Sequence, residues 1–170
     1  MKAKTPSQSL AIMTEIVLPN DTNNLNNLFG GQLMSWMDRC CAIAAARHAD
    51  SIAVTASVNH VSFNRPIPHS TIVTLEAKVS RAFKTSMEVY VDVYMEDQRS
   101  RSEKVKCNEA IYTFVALDDD GNKVEVAPLE PETDIEKARF VGALRRRQLA
   151  LILAGKMKAD DATELKALFT

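Results

Sequence analysis

The segment Gly30-Gly-Gln-Leu-Met-Ser-Trp-Met-Asp-Arg-Cys-Cys-Ala-Ile-Ala-Ala-Ala-Arg-His48 carries apolar residues on almost every side of a helical wheel. Leu33, Met34, Trp36, Met37, Cys40, Cys41, Ile43, Ala44, Ala45 and Ala46 leave Asp38, Arg39 and Arg47 as its only charges before His48. This pattern predicts a long helix that is largely buried rather than lying on a surface. Further along the chain the period changes from helical to two. Between residues 86 and 96, Met87, Val89, Val91, Val93 and Met95 alternate with Glu88, Tyr90, Asp92, Tyr94 and Glu96. Residues 52–63, 71–79 and 105–117 also read as strands, and an apolar run at 10–18 reads as a first strand. The turn-rich stretches 64–69 and 118–122 separate them. The fold class is therefore α+β, an antiparallel sheet wrapped around one long helix, because nothing else in this region can bury that helix.

The flanks are different. The loop Asn20-Asp-Thr-Asn-Asn-Leu-Asn-Asn27 is too rich in Asn and Asp for a regular element, and its side chains are expected to bond their own backbone. Thr133 and Glu136 have capping-box spacing, opening a helix to about Gly155 with Ile135, Phe140, Leu144 and Leu149 as its apolar side. Asp161 and Glu164 suggest a short last helix carrying Leu165, Leu168 and Phe169. Pro128-Leu-Glu-Pro131 reads as a linker, dividing the chain into a sheet-and-helix domain, 1–131, and a C-terminal helical extension, 132–170. Arg145-Arg-Arg147 on that extension reads as a solvated basic face, or as a contact for a nucleotide or a second subunit.

Composition narrows the function. The 170 residues are 46% hydrophobic and 25% charged, which excludes a disordered, collagen-like or coiled-coil chain. Lys and Arg number 21 against 22 Asp and Glu, a net charge of −1, so no nucleic-acid partner is expected. Charges interrupt every apolar run before it reaches bilayer length, and no apolar core follows Lys2 and Lys4, so neither a membrane association nor a secretory signal is expected. Three cysteines without CxxC spacing read as reduced thiols in the cytoplasm and not as a zinc site.

Two features point to chemistry. Asp38 sits in the middle of the most apolar helix, with Met34, Ser35, Cys41 and Ala42 three and four positions away and no basic residue to pair with. A carboxylate placed there is either a catalytic acid or base, or an interface or cavity residue bonded to backbone amides. Gly30-Gly31 at the helix start either serves a tight turn or lets a substrate approach free amides able to hold an oxyanion. No Gly-x-Ser-x-Gly is present, which argues against an α/β-hydrolase.

The run from Pro19 through Leu28-Phe-Gly-Gly-Gln-Leu-Met-Ser-Trp-Met-Asp38 resembles the opening signature of hotdog-fold acyl-CoA thioesterases, in the branch of the bacterial broad-specificity and brain acyl-CoA hydrolases. The likeness continues through Val54-Thr-Ala-Ser-Val58, Phe63-Asn-Arg-Pro-Ile67, Thr85-Ser-Met-Glu-Val89 and Thr113-Phe-Val-Ala-Leu117, covering about residues 10–128. The resemblance implies an acyl-CoA hydrolase in which Asp38 activates water or attacks the thioester. Asn23 would assist from the other subunit, and the Gly31 amide would polarise the carbonyl. It further implies a homodimer at minimum, assembled as a trimer of dimers, with no metal and no cofactor, since CoA is part of substrate and product. Arg81, Lys84, Thr85, Ser86 and Arg65 are the candidates for binding CoA. Phe83 stands where the family has a glycine, and Ser70-Thr71 where it commonly has Gly-Asp. His48, His60 and His69 do not occupy the place of the histidine in hotdog dehydratases. The alternative reading is a non-catalytic hotdog module that binds acyl-CoA as a sensor. Such sensors carry a helix-turn-helix ahead of the hotdog domain, and only about 17 residues precede the Asn-rich loop here.

Overall fold

Alternation along the strands decides which residues meet the central helix. The computed structural model describes residues 1–99 and 103–169. Strands β1 (Ala11–Ile16), β2 (Ile52–Ser62), β3 (Thr71–Ala82), β4 (Ser86–Asp97) and β5 (Val105–Leu117) form one antiparallel sheet in the order β1-β3-β4-β5-β2. Helix α1 (Gly30–Ala49) packs on one face. Val73, Leu75, Ala77 and Val79 of β3 and Met87, Val89, Val91 and Val93 of β4 are buried on that face. They meet Leu33, Trp36, Met37, Cys40, Cys41, Ala44 and Ala45 of the helix. Ala77, Val91 and Ala110 lie opposite one another in a single cross-strand row, and the small residues on either side let the helix approach closely. Cys40 and Cys41 are core residues; burial pushes the Cys40 thiol up to about 11, so it stays protonated and inert.

The helix is less enclosed than its composition suggests. Gly31, Ser35, Arg39, Ile43 and Arg47, spaced by four, form an exposed flank that no described element covers. At the far end Lys4 holds the last turn, its Nζ donating to the carbonyls of Arg47 and His48 and to Asp50 Oδ2. This satisfies C-terminal carbonyls and places a cation at the negative end of the helix dipole. The N-terminal segment is therefore structured. Ser9 Oγ accepts the Val79 amide, and the main chain of Lys4 bonds both Pro128 and Glu130. The expected linker at 128–131 is thus pinned to the N-terminus, with Leu129 buried, instead of hanging free.

The polar face of the sheet is closed by α2 (Asp134–Leu153), which starts at the expected Thr133 and Glu136 capping box. Its sheet-facing side differs from the expected apolar stripe. Ile135 and Leu149 are exposed, and Glu136, Ala143 and three arginines turn inward. Arg146 makes two bonds to Glu88 at 2.9 and 2.7 Å, Arg139 binds both oxygens of Asp92, and Arg139 also lies 3.7 Å from the Tyr90 ring centroid. Carboxylates on the outward positions of β4 required cations, and the tail supplied them. Arg146 and Arg147 of the basic run read as a solvated face are accordingly half-buried against the sheet. The last helix, α3 (Thr163–Lys166), is one turn with no side-chain cap, and Leu168 and Phe169 are exposed.

Two predictions follow from this packing. The Glu88 side chain is only 3% exposed, so Arg146→Ala leaves a buried carboxylate without its cation. Urea unfolding at one protein concentration should show a loss of about 3 kcal/mol, and the double replacement Glu88→Leu with Arg146→Leu should recover most of it. His48 is also buried, its Nε2 bonded to the Ala127 carbonyl, and burial holds its imidazole below the usual 6.5. The unfolded chain then binds more protons than the native one as pH drops below about 6.5, so stability falls with pH in that window. Thermal midpoints at about pH 7.5 and 5.5 should differ more for the wild type than for His48→Gln; equal differences would contradict this assignment.

Candidate active site

Asp38 lies two turns into α1, half-buried at the border between the packed face and the open flank. It is not unpaired, as the sequence had suggested. Thr55 of β2 donates its hydroxyl to Asp38 Oδ1 at 2.6 Å. A fault in the strand makes this contact. Thr55 faces Phe114 of β5 on the helix side, whereas Ser57 faces Thr113 on the α2 side, because the register shifts between them. Residues two apart on a regular strand share a face, so the bulge re-aims Thr55 toward the carboxylate. A second shift between Val58 and His60 explains why β2 shows little alternation in sequence. Thr55 itself was not singled out in the sequence, although it lies in one of the stretches carrying the family likeness.

The other end of the site is the start of α1. Phe29 is the N-cap residue and offers no side-chain hydrogen bond, so the first-turn amides keep donors that a Ser or Asp would have taken. Gly30 and Gly31 have ordinary helical backbone, not the positive φ of a tight turn. A Cβ at Gly31 would meet Cε1 of the exposed Phe29 ring at 2.8 Å, so that ring would have to swing aside. Asn23 is exposed, and its Oδ1 accepts the amides of Leu25 and Asn27 at 2.9 and 3.3 Å. The loop is thus tied by its own asparagine, as the composition predicted. Since Oδ1 accepts two amide hydrogens, the Nδ2 group is the one left to donate. Asn23 and Gly30 share a cavity of about 360 Å³ with Phe63, Arg65 and Asn108. Asn108 is 1% exposed and bonds both the amide and the carbonyl of Arg65, fixing the turn that carries this cation.

One chain does not bring these groups together. Gly31 and Asp38 lie seven residues apart on one helix, about 10 Å along its axis. An amide that holds the carbonyl oxygen sits about 3 Å from it, whereas a general base has to reach only the attacking water. Asn23 belongs to the Gly30 end and contacts Asp38 nowhere among the described residues.

The candidate CoA residues divide in the same way. Arg65 lies at the cavity beside the helix start. Arg81, Lys84, Thr85 and Ser86 sit at or beside the turn between β3 and β4, with Arg81 and Ser86 on the side covered by α2. Arg81 donates to the Phe140 carbonyl at 2.9 Å and lies 4.1 Å from the Phe140 ring centroid, so it clamps the tail. Lys84 is 82% exposed and 3.6 Å from Glu125; the Thr85 carbonyl accepts the Ala116 amide. Ser86 is buried and accepts a bond from Arg147, a residue the sequence did not favour. His60 is exposed and bonded to Ser62, and His69 is bonded to Ser70. Among the described residues, no three His, Cys, Asp or Glu side chains gather as a metal site, and no helix is long and apolar enough to cross a membrane.

Known proteins resemble this chain in sequence and fold. A model of the thioesterase superfamily matches residues 25–102. The acyl-CoA thioester hydrolase YkhA of Bacillus subtilis is 43% identical over 129 residues, covering 76% of this chain and 74% of that protein. The mouse relative acyl-coenzyme A thioesterase 11 is longer, and the chain spans 24% of it. An acyl-CoA hydrolase of Staphylococcus aureus superposes with a TM-score of 0.84 at 35% identity, covering 92% of this chain and 96% of that one. Structures of that enzyme include variants with an aspartate, a threonine or an asparagine changed to alanine, and a complex with butyryl coenzyme A. A hexameric acyl-CoA thioesterase superposes with a TM-score of 0.86 at 34% identity, covering 91% of this chain and 98% of that one. With a sheet wrapped around one long helix and matching sequence over three quarters of its length, the chain belongs to the acyl-CoA thioester hydrolases of the hotdog-fold thioesterase superfamily.

Proposed function

We propose that this protein hydrolyses acyl-CoA thioesters to CoA and a free carboxylic acid, with Asp38 as general base. The observation that carries the proposal is the Asp38 carboxylate, held at 2.6 Å by Thr55 on an otherwise apolar helix whose start is left uncapped. The spacing in the S. aureus enzyme supports it. There the replaced asparagine precedes the replaced aspartate by 15 positions and the threonine follows it by 17, the separations of Asn23, Asp38 and Thr55 here.

The chemistry proceeds as follows. Thr55 occupies Oδ1 and fixes the carboxylate rotamer, leaving Oδ2 to accept a proton from water. The water oxygen bonds the thioester carbon while the carbonyl oxygen takes the negative charge, held by the Gly31 amide and by Asn23 Nδ2. Collapse breaks the carbon–sulfur bond and CoA leaves as thiolate, a good enough leaving group to need little protonation. No cofactor enters, because CoA is itself part of substrate and product. The setting proposed is the cytoplasm, where CoA thiols and Cys40, Cys41 and Cys107 remain reduced.

The site spans two chains. The Asn23 and Gly31 end of one helix lies beside Asp38 of a second copy, and two-fold symmetry then makes two equal sites. β2 fits the role of interface strand: it is one of the two sheet edges and the longer, 11 residues against six in β1, and exposes Ile52, Val54 and Val58. An uncovered apolar edge of that length invites pairing with another chain. The hexameric relative extends the dimer to a trimer of dimers.

Thiol release should be followed across a panel of acyl-CoAs of rising chain length. Asp38→Asn should lower turnover by about two orders of magnitude or more while CoA still binds. Thr55→Val should lower kcat by about tenfold with KM nearly unchanged, as expected for a group that positions the base. Near-wild-type turnover of Asp38→Asn would remove Asp38 from the mechanism.

A further inference from the structure

Arg147 differs from the other arginines of α2 that meet the sheet. Arg139 is paired with Asp92 and Arg146 with Glu88, but Arg147 has no carboxylate partner among the described residues. Its guanidinium carbon lies 4.2 Å from the Phe83 ring centroid, and Nη1 donates to Ser86 Oγ at 3.1 Å. Phe83 is the residue that stands in place of the family's glycine at this turn, and it provides the platform on which the cation rests. Burial lowers the Arg147 pKa with no counter-charge to oppose it. The charge is thus held in position, partly stripped of water, and not neutralised within the chain.

Arg147 faces a cavity of about 150 Å³ under the C-terminal half of α2, bordered by Ser57, Asn59, Thr113, Glu88 and Lys156. Glu88, the acidic member, is already committed: Arg146 binds both its oxygens and Ser80 donates to Oε1. Thr113 accepts the Asn59 amide at 2.6 Å, which leaves its own hydroxyl hydrogen to donate. Lys156 forms no ion pair among the described residues. The result is a small concavity with two uncommitted cations and a hydroxyl donor. It is well below the size of a site for a whole nucleotide and suited to a single oxyanion group.

We propose that this cavity is an anion subsite that takes a phosphate group, with Arg147 as its principal cation. The phosphate has two possible sources, the nucleotide end of the acyl-CoA substrate or a free phosphorylated ligand bound apart from catalysis. The first source rests on the hydrolase reading and the second does not.

The test uses the full-length protein in its native assembly. Adenosine 3′,5′-bisphosphate and inorganic pyrophosphate are titrated calorimetrically into wild type, Arg147→Gln and Arg147→Lys. KM and kcat are measured with an acyl-CoA and with the matching acyl-pantetheine, which lacks phosphates. At least one probe should bind the wild type, and Arg147→Gln should weaken it by about tenfold or more, with Arg147→Lys in between. A parallel rise in KM for acyl-CoA alone, at constant kcat, assigns the phosphate to the substrate. Weakened probe binding with unchanged KM assigns it to a free ligand. Absence of probe binding to the wild type overturns the proposal, as does a natively assembled Arg147→Gln that binds like wild type. If Arg147→Gln does not assemble, Lys156→Gln with Thr113→Val carries the test, and unchanged probe affinity in that variant overturns it. Probe binding through Arg147 in a protein that hydrolyses no acyl-CoA would sink the hydrolase reading and leave the subsite standing.

Discussion

The burial of α1 is the constraint on which the rest depends. A 20-residue helix with this many apolar side chains has to be covered, and the sheet curves around it to do so. Each fully buried Leu, Met or Val stabilises the fold by roughly 1.5–3 kcal/mol relative to exposure, so this contact outweighs any local preference in the loops. The cover is one-sided. Gly31, Ser35, Arg39, Ile43 and Arg47 form an open flank, and Asp38 stands at its edge. The proposed catalytic group thus belongs both to a rigid core helix and to a surface available to another chain.

Much of this was legible in the sequence because it follows from periodicity. The helix, the five strands and the capping box at Thr133 appear close to where spacing placed them, since burial enforces periods of 3.6 and 2. Asp38 was legible as an anomaly, one carboxylate on an apolar helix. Thr55 was not, because its orientation depends on a bulge that shifts register without leaving a mark in the side-chain pattern. Asn108 was hidden for a related reason: within a strand, nothing distinguishes it from a polar outward residue until its bonds to the Arg65 backbone are seen.

The sheet-facing side of the tail helix was misread for a physical reason as well. An arginine-rich helix looks solvated when considered alone. It turns inward here because the outward residues of β4 include Glu88 and Asp92, and a helix covering carboxylates has to bring cations. Exposed apolar residues at Ile135 and Leu149 are the consequence of that choice of face. The same packing separates the candidate CoA residues. Arg81 becomes a clamp for the tail, and Arg147 is left without a carboxylate partner among the described residues.

The central claim is that the site is shared, with Asn23 of one chain assisting Asp38 of another, since no hydrogen bond joins the two within one chain among the described residues. Subunits carrying only Asn23→Ala, mixed with equal amounts of subunits carrying only Asp38→Ala, test this directly. If mixing is random, about half of the dimers are mixed and one of their two sites receives both intact residues, so roughly a quarter of wild-type activity should return from two nearly inactive parents. Two distinguishable affinity tags establish that exchange has occurred. Confirmed exchange with no recovery of activity would contradict a shared site, since a site built within one subunit keeps a lesion in every copy.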